Sequence, residues 1–276
     1  MTIPPTQSPA LDKRSIALRR QIVEVMNCAG RGHLASAFSL VEILRVLYDS
    51  VLHVDPANPA LPGRDRFILS KGHGCLALYV LLAEKGFFPV EELWTFCRFD
   101  SILGGHPEPC VPGVEISTGS LGHGLPVAVG MALHAKFVRS PHRAFVVLGD
   151  GECNEGTVWE AAMAASKHRL DNLVALVDYN KHQSYGSTRE VLDLEPFADK
   201  WRSFGFAVRE ADGHDIKALE NALKDLPAET GKPTAIICHT VKGKGVGFTE
   251  NNLKWHHKSG LKENEMRELL AALEEA

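Results

Sequence analysis

Paired cysteines, long apolar runs and a surplus of either charge are all missing from this chain, and each absence removes a class of function. The six cysteines (Cys28, Cys75, Cys97, Cys110, Cys153 and Cys238) are scattered with no Cys-x-x-Cys spacing. That is the pattern of reduced thiols in a cytoplasmic enzyme, not of a disulfide framework. Apolar runs fall far short of a membrane span. Lysines and arginines number 30 against 34 aspartates and glutamates, a net charge of −4 with the signs interspersed. A nucleic-acid binder working by electrostatics would carry a basic excess or patch. Met1 to Ala10 are polar and proline-rich, without the basic-then-apolar order of a signal peptide. Internal repeats, low-complexity tracts and linker-like breaks in composition are lacking too. What remains is the profile of a globular protein, 45% hydrophobic and 23% charged over 276 residues. It is long enough to bury a sizeable core and reads as a single domain over 1–276.

Leu11, Ile16, Ile22, Val23 and Met26 recur at helical spacing and predict a first helix over 11–28, ended by Gly30. A second helix is expected over 38–50. Loops rich in proline and glycine follow at 54–63 and 104–113, with a buried helix from Cys75 to Lys85 between them. Gly122 to Phe137 reads as a helix packed tightly through Gly124, Ala128, Gly130 and Ala132. Strands at 144–148, 173–179, 205–210 and 234–239 then alternate with helices near 155–168 and at 215–225. Segment 241–260 reads as loop, and 263–275 as an amphipathic helix. Alternation of this kind implies an α/β fold, a parallel sheet with helices on both faces.

Two of these strands end in chemistry. The run Ala144 to Leu148 stops at Gly149-Asp150-Gly151, and the run Leu173 to Val177 leads through Asp178-Tyr179 to Asn180, thirty residues after Asp150. In a strand-helix-strand unit both strands are parallel, so their carboxyl ends share one rim of the sheet. A carboxylate and an amide oxygen there suit a hard divalent cation such as Mg²⁺, which keeps positions open for phosphate oxygens. The flanking glycines let backbone approach a diphosphate, and the helix that follows is expected to offer its N-terminal amides to the anion. Four histidines also lie beside glycine or proline, or in the loop-like segment: His33, His73, His106 and His256, the last within Trp255-His256-His257. Imidazoles in such places can shuttle protons or donate to hydroxyls near neutral pH.

The Gly-Asp-Gly to Asn spacing resembles the thiamine diphosphate signature, and nearly the whole chain is similar to the N-terminal half of transketolase, above all to the stand-alone N-terminal subunit of split transketolases. The resemblance is carried by Arg64 to His73, Gly105-His106-Pro107-Glu108, Ser117-Thr118-Gly119-Ser120-Leu121-Gly122, the segment 149–167, and Val241-Lys242-Gly243-Lys244-Gly245. It implies that Asp150, Asn180 and the main-chain carbonyl of His182 hold Mg²⁺, with Ca²⁺ or Mn²⁺ able to substitute. Gly151 and His73 would contact the diphosphate, with Asn180 also on the cofactor side. Gly119 and Leu121 would lie against the aminopyrimidine. His33, His106 and His256 would line a sugar channel, His256 also near the diphosphate. Glu155 and Glu160 match carboxylates near a glutamate network between subunits.

Transfer of a two-carbon ketol unit from a ketose to an aldose, both sugars or sugar phosphates, is the activity implied. Because the glutamate that activates the pyrimidine ring belongs to a following domain in the family, the resemblance also implies a separate C-terminal, pyrimidine-binding partner in an α₂β₂ assembly. Three positions depart from the family pattern: Ala35 for a frequent glycine, which would tighten the loop after His33; His123 for a frequent glutamine; and His182-Gln183-Ser184-Tyr185-Gly186. Open alternatives are the α chain of a 2-oxo acid dehydrogenase, a 1-deoxyxylulose-phosphate-synthase-like fragment, and a non-catalytic cofactor-binding regulatory subunit. Pentose phosphates, branched sugar phosphates such as apulose 4-phosphate, and sulfosugars all stay open as substrates.

Overall fold

The computed structural model describes residues 10–256, 258 and 260–275, so residues 1–9 of the polar opening stretch and His257 lie outside the described residues. Helix α1 (Lys13–Ala29) starts where the Asp12 carboxylate accepts the Ser15 amide at 2.7 Å, and ends at Gly30, whose φ of 66° turns its N–H back onto Met26 and Asn27. Next come α2 (Leu34–Phe38) and α3 (Val41–Val46), which runs into a π-helical turn over Leu47–Val51. The single helix expected over 38–50 is thus two short helices and a widened turn, beginning at Leu34. The break falls at Ser39, whose hydroxyl is bonded to the Asp178 carboxylate at 2.6 Å. Ala35 lies inside α2, not in a loop, and its carbonyl accepts the Gly243 amide.

Strand β1 (Arg66–Leu69) was not expected from the sequence. Four residues are too few to show a period, and β1 pairs on one side only. A 3₁₀ turn over Gly72–Gly74 leads into α4 (Cys75–Glu84), buried all round from Cys75 to Ala83. Helix α5 (Gly124–Phe137), β2 (Ala144–Gly149), α6 (Gly156–Lys167) and β3 (Leu173–Tyr179) follow. The chain continues through α7 (Thr188–Val191), α8 (Phe197–Ser203), β4 (Ala207–Asp212), α9 (Ile216–Leu223), β5 (Thr234–His239) and α10 (Glu263–Glu274).

Among the described residues these strands form one five-stranded sheet in the order β1-β2-β3-β5-β4, every pair parallel. Successive side chains alternate between its faces. Phe145, Val147 and Leu176 join the core formed with α1 to α4, α9 and α10, while Val146, Leu148 and Val177 join that formed with α5, α6 and α8. Burial on both faces explains why β2 and β3 read as unbroken apolar runs and not as alternating ones. All five carboxyl ends therefore emerge on one rim.

The close packing expected of α5 holds at Gly124, where an added Cβ would sit 2.9 Å from Ser70 Cα, and at Ala128 and Ala132, both fully buried. It fails at Gly130, which faces open space. Gly130→Ala should therefore stabilise the chain by roughly 0.5–1 kcal/mol, and Gly124→Ala should destabilise it by about 1–3 kcal/mol. Urea unfolding of the two variants checks this; the opposite order would contradict the packing.

Candidate active site

A cavity of ≈ 150 Å³ opens on the rim, lined by Asp150, Gly151, Asn180, His182, His73, Leu121, Glu155, His256, Lys71 and Lys242 among others. Strand pairing fixes the first three: Gly149 pairs with Asp178, so Asp150 and Asn180 leave adjacent strands at nearly the same level. The Asp150 carboxylate accepts the Gly151 amide at 2.7 Å and the Lys181 amide, and Asn180 Oδ1 accepts the His182 amide at 3.1 Å. The His182 carbonyl accepts from Lys242 Nζ at 3.2 Å. A larger hollow of ≈ 620 Å³ between α5 and the start of β1 lies at the opposite, amino-terminal edge of the sheet. Ligands of open α/β sheets bind at the carboxyl ends, which favours the smaller cavity.

The four histidines come together. Ring centroids are 5.6 Å apart for His33 and His73, 6.3 Å for His33 and His106, and 6.3 Å for His73 and His256. His106 is held through its carbonyl, which accepts from Tyr79 Oη at 2.9 Å, and its ring lies on Gly119. A Cβ at Gly119 would meet His106 Cδ2 at 2.8 Å, and the φ of 133° there is one that side chains avoid. Gly151 is cramped in the same way, with Gln183 Cγ 2.7 Å from where a Cβ would be. Glu155 stands on the cavity wall, whereas Glu160 is exposed on α6 outside the lining. The helix amides expected next to Asp150 are displaced: a 3₁₀ turn over Gly151–Asn154 intervenes, and α6 begins only at Gly156.

Charge is dense here. Burial, and then the neighbouring Asp178, push the Asp150 carboxyl up to about 7. Burial, and then Lys71, pull the Lys242 ammonium down to about 7. His73 is driven well below its ordinary value by burial and by Lys71 and Lys242, so its imidazole is neutral. For Asp178 burial works the other way, but Lys71, Ser39 and Thr240 outweigh it and hold the carboxyl low.

Residues 12–274 match the family model described as transketolase, thiamine diphosphate binding domain. The chain belongs to the transketolase family. It is 43% identical over 251 residues to one of the subunits of the apulose-4-phosphate transketolase of Phocaeicola vulgatus, covering 91% of this chain and 89% of that one. It is likewise 43% identical over 248 residues to a 6-deoxy-6-sulfo-D-fructose transketolase subunit of a Clostridium species, with 90% of each covered. Among solved structures, the transketolase of Campylobacter jejuni superposes with a TM-score of 0.88 at 31% identity, over 99% of this chain and 43% of that one. The chain thus spans about two-fifths of the solved transketolases it matches. The fold class, the transketolase reading and with it the transferase class are borne out, and they fit these relatives better than a 2-oxo acid dehydrogenase chain, a 1-deoxyxylulose-phosphate-synthase-like fragment or a regulatory subunit.

Sequence reasoning passed over the charges that organise the transketolase rim. Asp178 is the one carboxylate in an apolar strand, and that was its signal. It is fully buried, paired with Lys71 Nζ, and accepts from Asn180 Nδ2 at 3.2 Å and from Thr240 Oγ1. Glu152, also buried, accepts the Gly122 amide at 2.9 Å and the Gly149 amide at 3.0 Å, and bonds Ser70. It ties β1, β2 and the 119–122 loop into one frame. Removing one partner of a buried pair strands the other charge. Lys71→Met should cost about 3–5 kcal/mol in urea unfolding. Because the Asp178 carboxyl is held below its ordinary value, its contribution is present above the unfolded pKa of about 3.9 and lost as pH falls through the folded value. A Lys71→Met variant as stable as wild type would refute the pairing.

Proposed function

We propose that this chain is the cofactor-binding subunit of a two-chain transketolase, a single domain in which Asp150, Asn180 and the His182 carbonyl bind Mg²⁺ and in which His73 and Gly151 face the diphosphate of thiamine diphosphate. One observation carries the reading: three oxygen donors, a cramped glycine, two lysines and the histidine cluster meet where β2 and β3 end. The residues fit the group. The Asp150 carboxylate is buried and accepts main-chain amides, with no ion pair to it among the described residues, and the amide Nε2 of Gln183 is buried with no partner among them. A side chain at Gly151 would collide with Gln183, so glycine is what keeps the main chain open to close approach there. Lys71 and Lys242 supply positive charge toward an anion.

Bound there, thiamine diphosphate supplies the electron sink that lets the carbon–carbon bond beside a ketose carbonyl break. The protein orients it and manages protons. Gly119 and Leu121 would lie against the aminopyrimidine. His33, His106 and His256 face the sugar hydroxyls, where an imidazole can take and return a proton. His73, neutral because of its surroundings, serves as a hydrogen-bonding partner near the diphosphate. Glu155 at the rim and Glu160 on the exposed side of α6 are suited to meet a second chain.

A second, pyrimidine-binding polypeptide in an α₂β₂ assembly is supported by lengths. The chain matches 89% of the Phocaeicola vulgatus subunit but 40% of the human transketolase. Phe137 and Met163, 86% and 54% exposed on α5 and α6, suit an apolar contact. No helix among the described residues is long and apolar enough to cross a membrane. All six cysteines are free thiols, which supports a cytoplasmic setting. A sugar or sugar phosphate is the proposed substrate.

Asp150→Ala should abolish Mg²⁺-dependent cofactor binding in calorimetry, and unchanged affinity would refute the metal assignment. His106→Ala or His256→Ala should lower turnover by roughly 10²–10⁴, with wild-type kinetics leaving them structural. Ketol transfer by the purified chain with no second polypeptide present would overturn the two-chain reading.

A further inference from the structure

Behind Lys242, outside the cavity lining, three buried residues from three distant segments converge on the loop that carries it. Arg19 of α1 is fully buried and uses all five of its N–H groups. Nε donates to the Lys244 carbonyl at 2.8 Å. Nη1 donates to the Ser15 carbonyl at 3.3 Å and to Glu42 Oε1 at 2.6 Å. Nη2 donates to the Phe38 carbonyl and to Glu42 Oε2, both at 2.8 Å. His214, between β4 and α9, completes the set. The Val241 amide can only donate, and it points at His214 Nε2 from 2.9 Å, so Nε2 is the acceptor. The ring proton is then on Nδ1, 2.8 Å from Glu42 Oε2.

The loop is therefore gripped on both sides of Lys242, through the Val241 N–H and the Lys244 C=O, and both grips end on one carboxylate, Glu42. Left to itself this stretch has freedom: Gly243 and Gly245 adopt φ of 81° and 100°. Two further bonds, Gly243 N–H to Ala35 O at 3.0 Å and Asn251 N–H to Lys242 O at 2.8 Å, complete the fixing. The outcome is a Lys242 amino group that stays in the site, 5% exposed, when its flexible stem would otherwise carry it to water. Buried charges of this kind are costly for stability alone, and setting a register is the use that repays them.

We propose that Glu42, Arg19 and His214 are positioning residues that hold the 241–245 loop so that Lys242 faces the diphosphate, making cofactor affinity depend on groups that never touch the cofactor. The inference rests on the reading of Lys242 as a diphosphate-facing cation.

The test is a double-mutant cycle on the enzyme purified with its partner subunit, reading calorimetric affinity for thiamine diphosphate at saturating Mg²⁺. Lys242→Met and His214→Phe should each weaken binding by about tenfold or more, the worth of a hydrogen bond to a charged group. The double variant should bind no worse than Lys242→Met alone. His214→Phe should keep its kcat at saturating cofactor and show faster deuterium exchange across 240–246 but not in β2 or β3. His214→Gln, whose carbonyl can accept from Val241, should recover part of the affinity. His214→Asn keeps a donor toward Glu42 but loses that acceptor, and it should reproduce the loss if His214→Phe fails to assemble. Unchanged affinity in the His214 variants, or losses that multiply in the double variant, overturns the inference alone. Unchanged affinity in Lys242→Met overturns the reading of Lys242 and the inference with it.

Discussion

Asp178 sits at the end of a strand buried on both faces, and a carboxylate can stay ionised there only because four segments turn polar atoms toward it. Lys71 comes from the turn after β1, Ser39 from the break between α2 and α3, Asn180 from the end of β3 and Thr240 from the end of β5. One charge thus sets the relative positions of most of the chain that forms the rim. It also sorts the two aspartates. Asp178, fully answered, is held acidic, while Asp150 beside it has amide partners and no ion pair among the described residues, so burial raises its pKa. Neighbouring carboxyls whose environments push them apart in this way take different tasks. Asp178 braces the strand ends, and Asp150 lies on the cavity wall.

The sheet order extends that division. With β1-β2-β3-β5-β4 all parallel, loops from every strand reach the rim, but they are not equally supported. On one face α1 to α4, α9 and α10 form a thick layer through which Arg19, Glu42 and His214 reach the 241–245 loop. On the other face α5, α6 and α8 are a single layer, and the outward side chains of α5 and α6 include Phe137 and Met163. The braced side carries the lysines and the 241–245 loop. The thin side carries Glu155 and the glycine-rich 119–122 loop, where Glu152 is the inner tie.

Much of this was legible in the residues, and the exceptions have physical causes. Buried parallel strands announce themselves as apolar runs, so β2, β3 and β5 were placed closely, and the turn residues at their ends located Asp150 and Asn180. The cap at Gly30 was equally plain, because few other residues suit a left-handed helix end. β1 escaped because four edge residues carry no pattern, and the α2–α3 break because its cause, the bond from Ser39 to Asp178, spans 139 positions of chain. Gly130 was misread for the opposite reason: composition shows a small residue but not which way it faces. Lys71, Glu152 and Lys242 lay inside recognised motifs without a role, since a buried charge is defined by its partners, and partners belong to the fold.

Preorganisation is what the braced rim provides. Ordering loops at the moment of binding costs roughly 0.5–1.5 kcal/mol for each immobilised side chain, and that cost is subtracted from affinity. Here Asp150, Asn180, Gly119 and Lys242 are already fixed by Lys181, His182, His106 and the clamp behind the loop. The ordering is met by folding, and for Lys242 it comes through Arg19, Glu42 and His214, which lie outside the cavity lining. A site built this way can meet a cofactor without first rearranging. Glu160, Phe137 and Met163, on the outer side of α5 and α6, stay exposed outside this bracing.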